Sequence, residues 1–135
     1  MASSAPGIDA AVDAFLRGAV DDLLAVCAAD VLLDVNVPSW RVQLRGHDAL
    51  RHVLAEQEFL PGRTVTQWRV TPTGDGQLLE LETHAPVHGE PHLWRQIMWF
   101  RRSGDEVGEV VVYCTGHWDP ATVARHAAEA PMVAP

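Results

Sequence analysis

The 135-residue chain has no lysine, and ten arginines face 18 acidic residues for a formal charge of -8. Without an ε-amino group there is no Schiff-base nucleophile, no pyridoxal-phosphate anchor and no phosphate-cradling loop of the GxxxxGK[ST] kind. The acidic balance also works against a phosphate-backbone partner, which clustered Lys and Arg would have to neutralise, so no nucleic acid is expected. Cysteine is nearly absent. Cys27 and Cys114 alone make neither a disulfide framework nor a CxxC metal or redox site. Two free thiols suit a reducing cytoplasm. No basic segment followed by an apolar one opens the sequence, and no run approaches about 18 apolar residues. The expectation is a cytoplasmic protein with no membrane association.

What is present is enough for one core. Surface scaling gives about 7,000 Å² folded against roughly 21,000 Å² unfolded, so about two thirds of the surface is buried. Residues 1–7 (MASSAPG) read as a frayed terminus. From Ile8, apolar residues at Ala11, Val12, Phe15, Leu16 and Ala19, then Leu23, Leu24, Val26 and Cys27, follow the helical period, with Gly18 bending the join. Asp30 opens VLLDVNVP, a strand that Pro38 ends, and Trp40–Gly46 reads as a second. Leu50, Val53 and Leu54 mark a helix over 47–58 before Pro61-Gly62.

The second half alternates with a period of two between turn signals at 73–76, His88-Gly89 and Ser103–Asp105. Four meandering strands are predicted near 63–72, 77–86, 92–102 and 106–116. Asp119-Pro120 caps and starts a last helix to about Glu129, and 131–135 reads as a tail. The order predicts an α+β fold with helices packed on one face of a curved antiparallel sheet, as a single domain over 8–130.

The segments ADVLLDVNVPSWRVQLRGHDAL, FRRSGDEV and VVVYCTGHWD, in this order, resemble the nuclear transport factor two superfamily. Its members include ketosteroid isomerase, limonene epoxide hydrolase, scytalone dehydratase and the SnoaL-like polyketide cyclases. The resemblance covers roughly 8–118. It implies a cone-shaped α+β barrel whose bent sheet wraps the helices around a deep pocket, and it implies little about the reaction. The positions of the isomerase's catalytic groups correspond to about Ala11, Val35 or Asn36, and Gln96, so that apparatus is missing. The epoxide hydrolase resembles the chain at Asn36-Val37-Pro38, where its Asn helps hold water. Its essential acid on the last strand corresponds to Val112.

Matching the FRRSGDEV turn to the family's places Trp94, Gln96, Met98 and Phe100 inside. The hairpin through His88-Gly89 then pairs residue 96 with 81, 94 with 83 and 85 with 92. That register puts Leu79, Leu81 and Thr83 inside and Glu82 outside, opposite Arg95. Val110, Val112 and Cys114 face inward on the last strand. Leu93, Ile97, Trp99, Val111 and Tyr113 then form a convex face too apolar for water alone, and the resemblance implies a homodimer through it.

Asp34, Asn36 and Gln96 are the candidate catalytic residues. Asp34 and Asn36 share a strand face, and a carboxylate half-buried in an apolar cone has a raised pKa suited to acid–base work. Gln96 can both donate and accept. Against this, Asp34 facing solvent or a loop is an open alternative. Five tryptophans supply flat apolar surface. Trp40, Trp68 and Trp94 are the candidates for the pocket wall and mouth, with Leu81, Met98, Val112, Cys114 and His117 completing the ligand-binding set. Cys114 reads as a small buried residue, with no basic partner to activate it. His84, His88 and His92 bracket a hairpin, but their register sends them to different faces, so no metal and no other cofactor is expected. The expected function is a SnoaL-like cyclase, isomerase, lyase or epoxide-opening enzyme for an apolar polyketide- or terpenoid-like substrate. A non-catalytic binder of a hydrophobic metabolite is the alternative.

Overall fold

The computed structural model describes residues 6–134. Most of the frayed terminus expected at 1–7 lies outside these residues, but helix α1 (Pro6–Arg17) is already formed at its end. Ile8, Ala11, Val12 and Phe15 are buried along one stripe of α1, as their spacing requires. Gly18 adopts a left-handed φ of 72° and redirects the chain into α2 (Val20–Ala25). The chain then becomes extended three residues before Asp30, in β1 (Cys27–Val37), and a turn returns it as β2 (Trp40–Arg45).

Helix α3 (His47–Val53) runs directly into a π-helical turn, Leu54–Glu58. Strands β3 (Thr64–Thr73), β4 (Gly76–Val87), β5 (Glu90–Ser103) and β6 (Glu106–Cys114) form the meander. Helix α4 (Pro120–Glu129) follows, with the Asp119 carboxylate accepting a hydrogen bond from the Thr122 N–H at 2.8 Å as its N-cap. The fold class is α+β: one curved, unclosed six-stranded sheet, ordered β2-β1-β6-β5-β4-β3, with helices against its inner face. Strand β1 lies parallel to β6, placing the first hairpin beside the last meander strand.

The register of β4 against β5 is the expected one: Leu81 pairs with Gln96, Thr83 with Trp94, Glu82 with Arg95 and Ala85 with His92. Phe15 of α1 packs between Phe100 and Phe59, with ring centroids 6.3 and 5.3 Å away, joining helix, sheet and the chain beyond the π turn. The three histidines of the hairpin do not converge. His84 Nε2 lies 2.9 Å from Glu82 Oε2 and His92 Nδ1 2.9 Å from the Glu90 carbonyl. Among the described residues no group of three His, Cys, Asp or Glu could hold a metal, and no helix is long and apolar enough to cross a membrane.

On the outer face, Asp34 binds the free hairpin to the sheet. Its register partners are Gln43 on β2 and Val111 on β6. Arg41 forks onto it, Nε to Oδ1 at 3.0 Å and Nη2 to Oδ2 at 2.7 Å, and the amides of Gln43 and Asn36 donate at 3.1 and 3.3 Å. Asn36 also donates to the Val112 carbonyl at 3.2 Å, carrying the network onto β6. The Arg41 hydrogen bonds, aided by those of Gln43 and Asn36 and by Arg41's charge, outweigh burial and hold the Asp34 carboxyl below its ordinary range.

A depressed pKa stabilises the fold above the unfolded value of 3.8, and that contribution disappears as pH falls through the lower folded value. Asp34→Ala should therefore lower stability by about 2 kcal/mol at pH 7, on the scale of hydrogen bonds to a charged group. The deficit should shrink progressively in acid. Urea denaturation of both proteins at pH 7 and pH 3 measures it, and an equal deficit at both would contradict the ionic origin.

Candidate functional site

Between the helices and the inner sheet face lies a cavity of about 440 Å³. Its walls are aliphatic: Leu33, Val35 and Val37 from β1, Val42 from β2, Leu50, Val53 and Leu54 from α3 and the π turn, and Met98 and Val112 from β5 and β6. Gln57, Glu58, Cys114 and His117 are its polar lining groups, and the partly exposed Val37 and Val42 lie toward the mouth.

The π turn delivers the chemistry. Leu50, Val53, Leu54, Gln57 and Glu58 occupy positions i, i+3, i+4, i+7 and i+8, so the apolar stripe of α3 becomes polar in its last turn while still facing inward. The wide turn closes with the Phe59 N–H on the Leu54 carbonyl at 2.7 Å. Such turns often occur at functional positions. Glu58 is buried, and Gln96 of β5 donates from Nε2 to its Oε1 at 2.7 Å. Burial pushes the Glu58 carboxyl up to about 7, opposed by the Gln96 hydrogen bond, the neighbouring Trp94 indole N–H and the charge of Arg63. A group divided between acid and carboxylate near neutrality can both give and take a proton.

The Trp94 N–H reaches no partner in full hydrogen-bond geometry, nor do Thr83 Oγ1 and Gln96 Oε1, so the buried sheet around Glu58 retains unspent polarity. Trp94 stacks on His117 with ring centroids 4.1 Å apart. Burial lowers the pKa of His117, helped by His92. Burial raises the Cys114 thiol to about 11, so it is not a thiolate near neutral pH.

The candidates named from sequence separate accordingly. Met98, Val112, Cys114 and His117 line the cavity. Leu81 and Trp94 are buried on the inner face but behind that lining. Gln96 also lies behind it and reaches the lining only through its hydrogen bond to Glu58. Asp34 and Asn36, expected inside, are on the outer face. The reason is parity: β1 pairs Val35 with the inward Val112, so Asp34 and Asn36 oppose the outward Val111 and Tyr113.

Nor is the cavity lined by tryptophan. Trp68 sits on edge strand β3 and is 58% exposed. Trp40 is 73% exposed, on the face of β2 that carries Val42 but one residue pair farther out. Glu58 was the residue missed. Its signal was the continuation of the α3 stripe two turns past Leu50.

Comparison with known proteins agrees with this fold. A search of curated proteins returns no match. Among solved structures, a candidate polyketide cyclase from Xanthomonas campestris is 22% identical, with 78% of this chain and 85% of that one covered and a TM-score of 0.61. A candidate polyketide cyclase from Pseudomonas putida is 15% identical, covering 93% and 98%, with a TM-score of 0.65. An LEH-like epoxide hydrolase from M. tuberculosis is 12% identical, covering 82% and 80%, with a TM-score of 0.58. At these identities the likeness is one of fold. The profile of the SnoaL-like domain matches residues 8–111, and the chain belongs to that family, within the nuclear transport factor two-like superfamily.

Proposed function

We propose that the protein is a small-molecule enzyme of the SnoaL-like type that moves a proton on an apolar substrate, with Glu58 as its acid–base residue. The observation that carries this reading is a buried carboxyl in an aliphatic cavity with a single amide donor at 2.7 Å, an environment that pushes it up to about 7. An apolar body filling the aliphatic walls expels water from around Glu58, which strengthens every electrostatic contact there. As carboxylate Glu58 takes a proton from one substrate atom, and as acid it returns one to another. The enzyme ends unchanged, as a cyclisation, isomerisation, elimination or epoxide opening requires. Gln96 positions the carboxylate and His117 borders the path to it. The fold likeness to candidate polyketide cyclases and to an epoxide hydrolase supports a polyketide- or terpenoid-like substrate. The competing reading is a binding protein for such a metabolite, favoured by Glu58 being the only carboxylate in the lining among the described residues.

We also propose a homodimer through the outer sheet face carrying Leu93, Ile97, Trp99, Val111 and Tyr113. Ile97 and Tyr113 are exposed there and Leu93 is half-buried, whereas Val111 is buried; the Leu93 backbone pairs with that of Trp118 at 2.7 and 3.1 Å. Sedimentation should give twice the 14.8 kDa chain mass, and Tyr113→Glu should reduce it to one. A native monomer at tens of micromolar would remove the dimer.

Glu58→Gln should cut turnover of an identified substrate by about a hundredfold or more, the usual scale of a lost acid–base group, and leave ligand binding in place. Full turnover would overturn the assignment, and ligand binding without product in the native protein would favour the binding reading. Stability offers a check without substrate. A carboxyl raised from 4.5 to about 7 holds its proton more tightly when folded, so the native protein loses stability as pH climbs through that interval. At pH 8, where Glu58 must be buried charged, Glu58→Gln should have the higher melting temperature. The advantage should vanish near pH 4.

A further inference from the structure

The cavity is graded from one end to the other, and its walls agree on the direction. Along β1 the inward side chains pass from Leu33, 3% exposed, through the half-buried Val35 to Val37, 37% exposed. Along β6 the buried Val112 gives way to the half-buried Cys114, and α3 with the π turn runs from the buried Leu50 and Leu54 to the exposed Gln57. The closed end is therefore aliphatic. It lies about 13 Å from Val37, four residues along a strand at roughly 3.3 Å each. The polar groups gather at the other end. Gln96, which holds Glu58, pairs with Cys114, one step past the Asn36–Tyr113 pair and so level with Val37. His117 follows on the same side, fixed by its stack on Trp94. Among the described residues no arginine lines the cavity, and burial disfavours the charged form of His117.

We propose that the ligand is an uncharged amphipathic molecule, an aliphatic body carrying one carbonyl or hydroxyl head, which enters body first and stops with its head beside Glu58, just inside the mouth. The closed end offers the body only Leu, Val and Met side chains, and burying it there drives binding. The same end has no partner for an oxygen, so entry head first would strand an unpaired polar group and lay hydrocarbon against Glu58. An anionic head would meet the Glu58 carboxylate with no lining cation to balance it. An ammonium head would give up its hydration for a single carboxyl, a poor exchange for a buried pair. A carbonyl can accept a hydrogen bond from the acid form of Glu58, and a hydroxyl can also donate to the carboxylate. The inference rests on the acid–base reading of Glu58 and deepens it, because the reacting atoms are then those at or next to the head, and the body serves only to bind.

Calorimetric titration with 2-hexanone, 2-octanone and 2-decanone tests the class. Each added methylene should tighten binding by up to roughly fourfold, the scale for burying one CH₂. Octanoate and 2-octylamine at pH 8 should bind at least about tenfold more weakly than 2-octanone, since each must bury a charge. Leu33→Phe, which fills the closed end, tests the direction: it should weaken 2-decanone by about tenfold and leave 2-hexanone within about twofold. Leu50→Phe serves if that variant does not fold. In 2-octanone labelled with ¹³C at the carbonyl, the bound signal should follow the titration of Glu58 by NMR and lose that dependence in Glu58→Gln. Octanoate or 2-octylamine binding as tightly as the ketone, no gain with chain length, equal losses for the short and long ketones, or a carbonyl signal blind to Glu58 would overturn the proposal. If Glu58→Gln keeps full turnover of an identified substrate while the native carbonyl signal follows Glu58, the acid–base reading fails and the ligand's class and direction stand. If the ketones fail these tests while Glu58→Gln abolishes turnover, the acid–base reading stands and this inference falls.

Discussion

A carboxyl group with a single hydrogen-bond donor at 2.7 Å, enclosed by Leu, Val and Met side chains, governs the interior of this protein. Its burial carries a free-energy cost that the fold meets in parts. Gln96 supplies one bond, and the Trp94 N–H and the charge of Arg63 also oppose the effect of burial. None of these completes the solvation that water would give. The remaining deficit appears as affinity for a proton, and that affinity makes the cavity chemically useful as well as apolar.

Asp34 shows the opposite outcome with the same functional group. Both carboxyls are buried, yet Asp34 receives an Arg fork and two amides and is held as a carboxylate, whereas Glu58 is pushed toward the acid form. Two things differ: burial is the largest influence on Glu58, and Asp34 has more donors, one of them charged. On the outer face the hairpin β1–β2 brings Arg41 and Gln43 beside Asp34 at their register positions, and ordinary strand geometry satisfies the ion. In the cone the walls must stay apolar to hold a ligand, so few donors can be spared. One carboxyl secures the hairpin at the sheet edge, and the other faces the cavity.

The shape follows from helices that cannot fill the curve of the sheet. Phe15, Phe100 and Leu79 pack tightly at the α1 end, while the other end, toward β1 and β2, is left open. The tryptophans do not follow the cavity. Trp94 braces His117, Trp99 lies under Arg101 on the outer face, Trp118 packs on His126 of α4, and Trp40 and Trp68 are exposed. Three of the five indoles thus brace the shell, and the cavity itself is aliphatic.

Periodicity was sufficient for much of this. The α1 stripe, the turns at 73–76, 88–89 and 103–105, and the pairing of β4 with β5 are local or nearly local, so short stretches of sequence determine them. Strand parity within the meander was legible too, because each hairpin transmits the register to the next strand. The chain by itself therefore settled the fold class and the inward residues of β4, β5 and β6. It did not settle the direction of Asp34, because β1 pairs with β6 in parallel across more than 70 residues and no turn links their registers. A shift of one residue there reverses both faces. Only the assembled sheet could send Asp34 and Asn36 outward, and only the meeting of the π turn with β5 could bring Glu58 to Gln96. A carboxyl's pKa depends on what surrounds it in space, and those neighbours come from segments that the sequence keeps far apart.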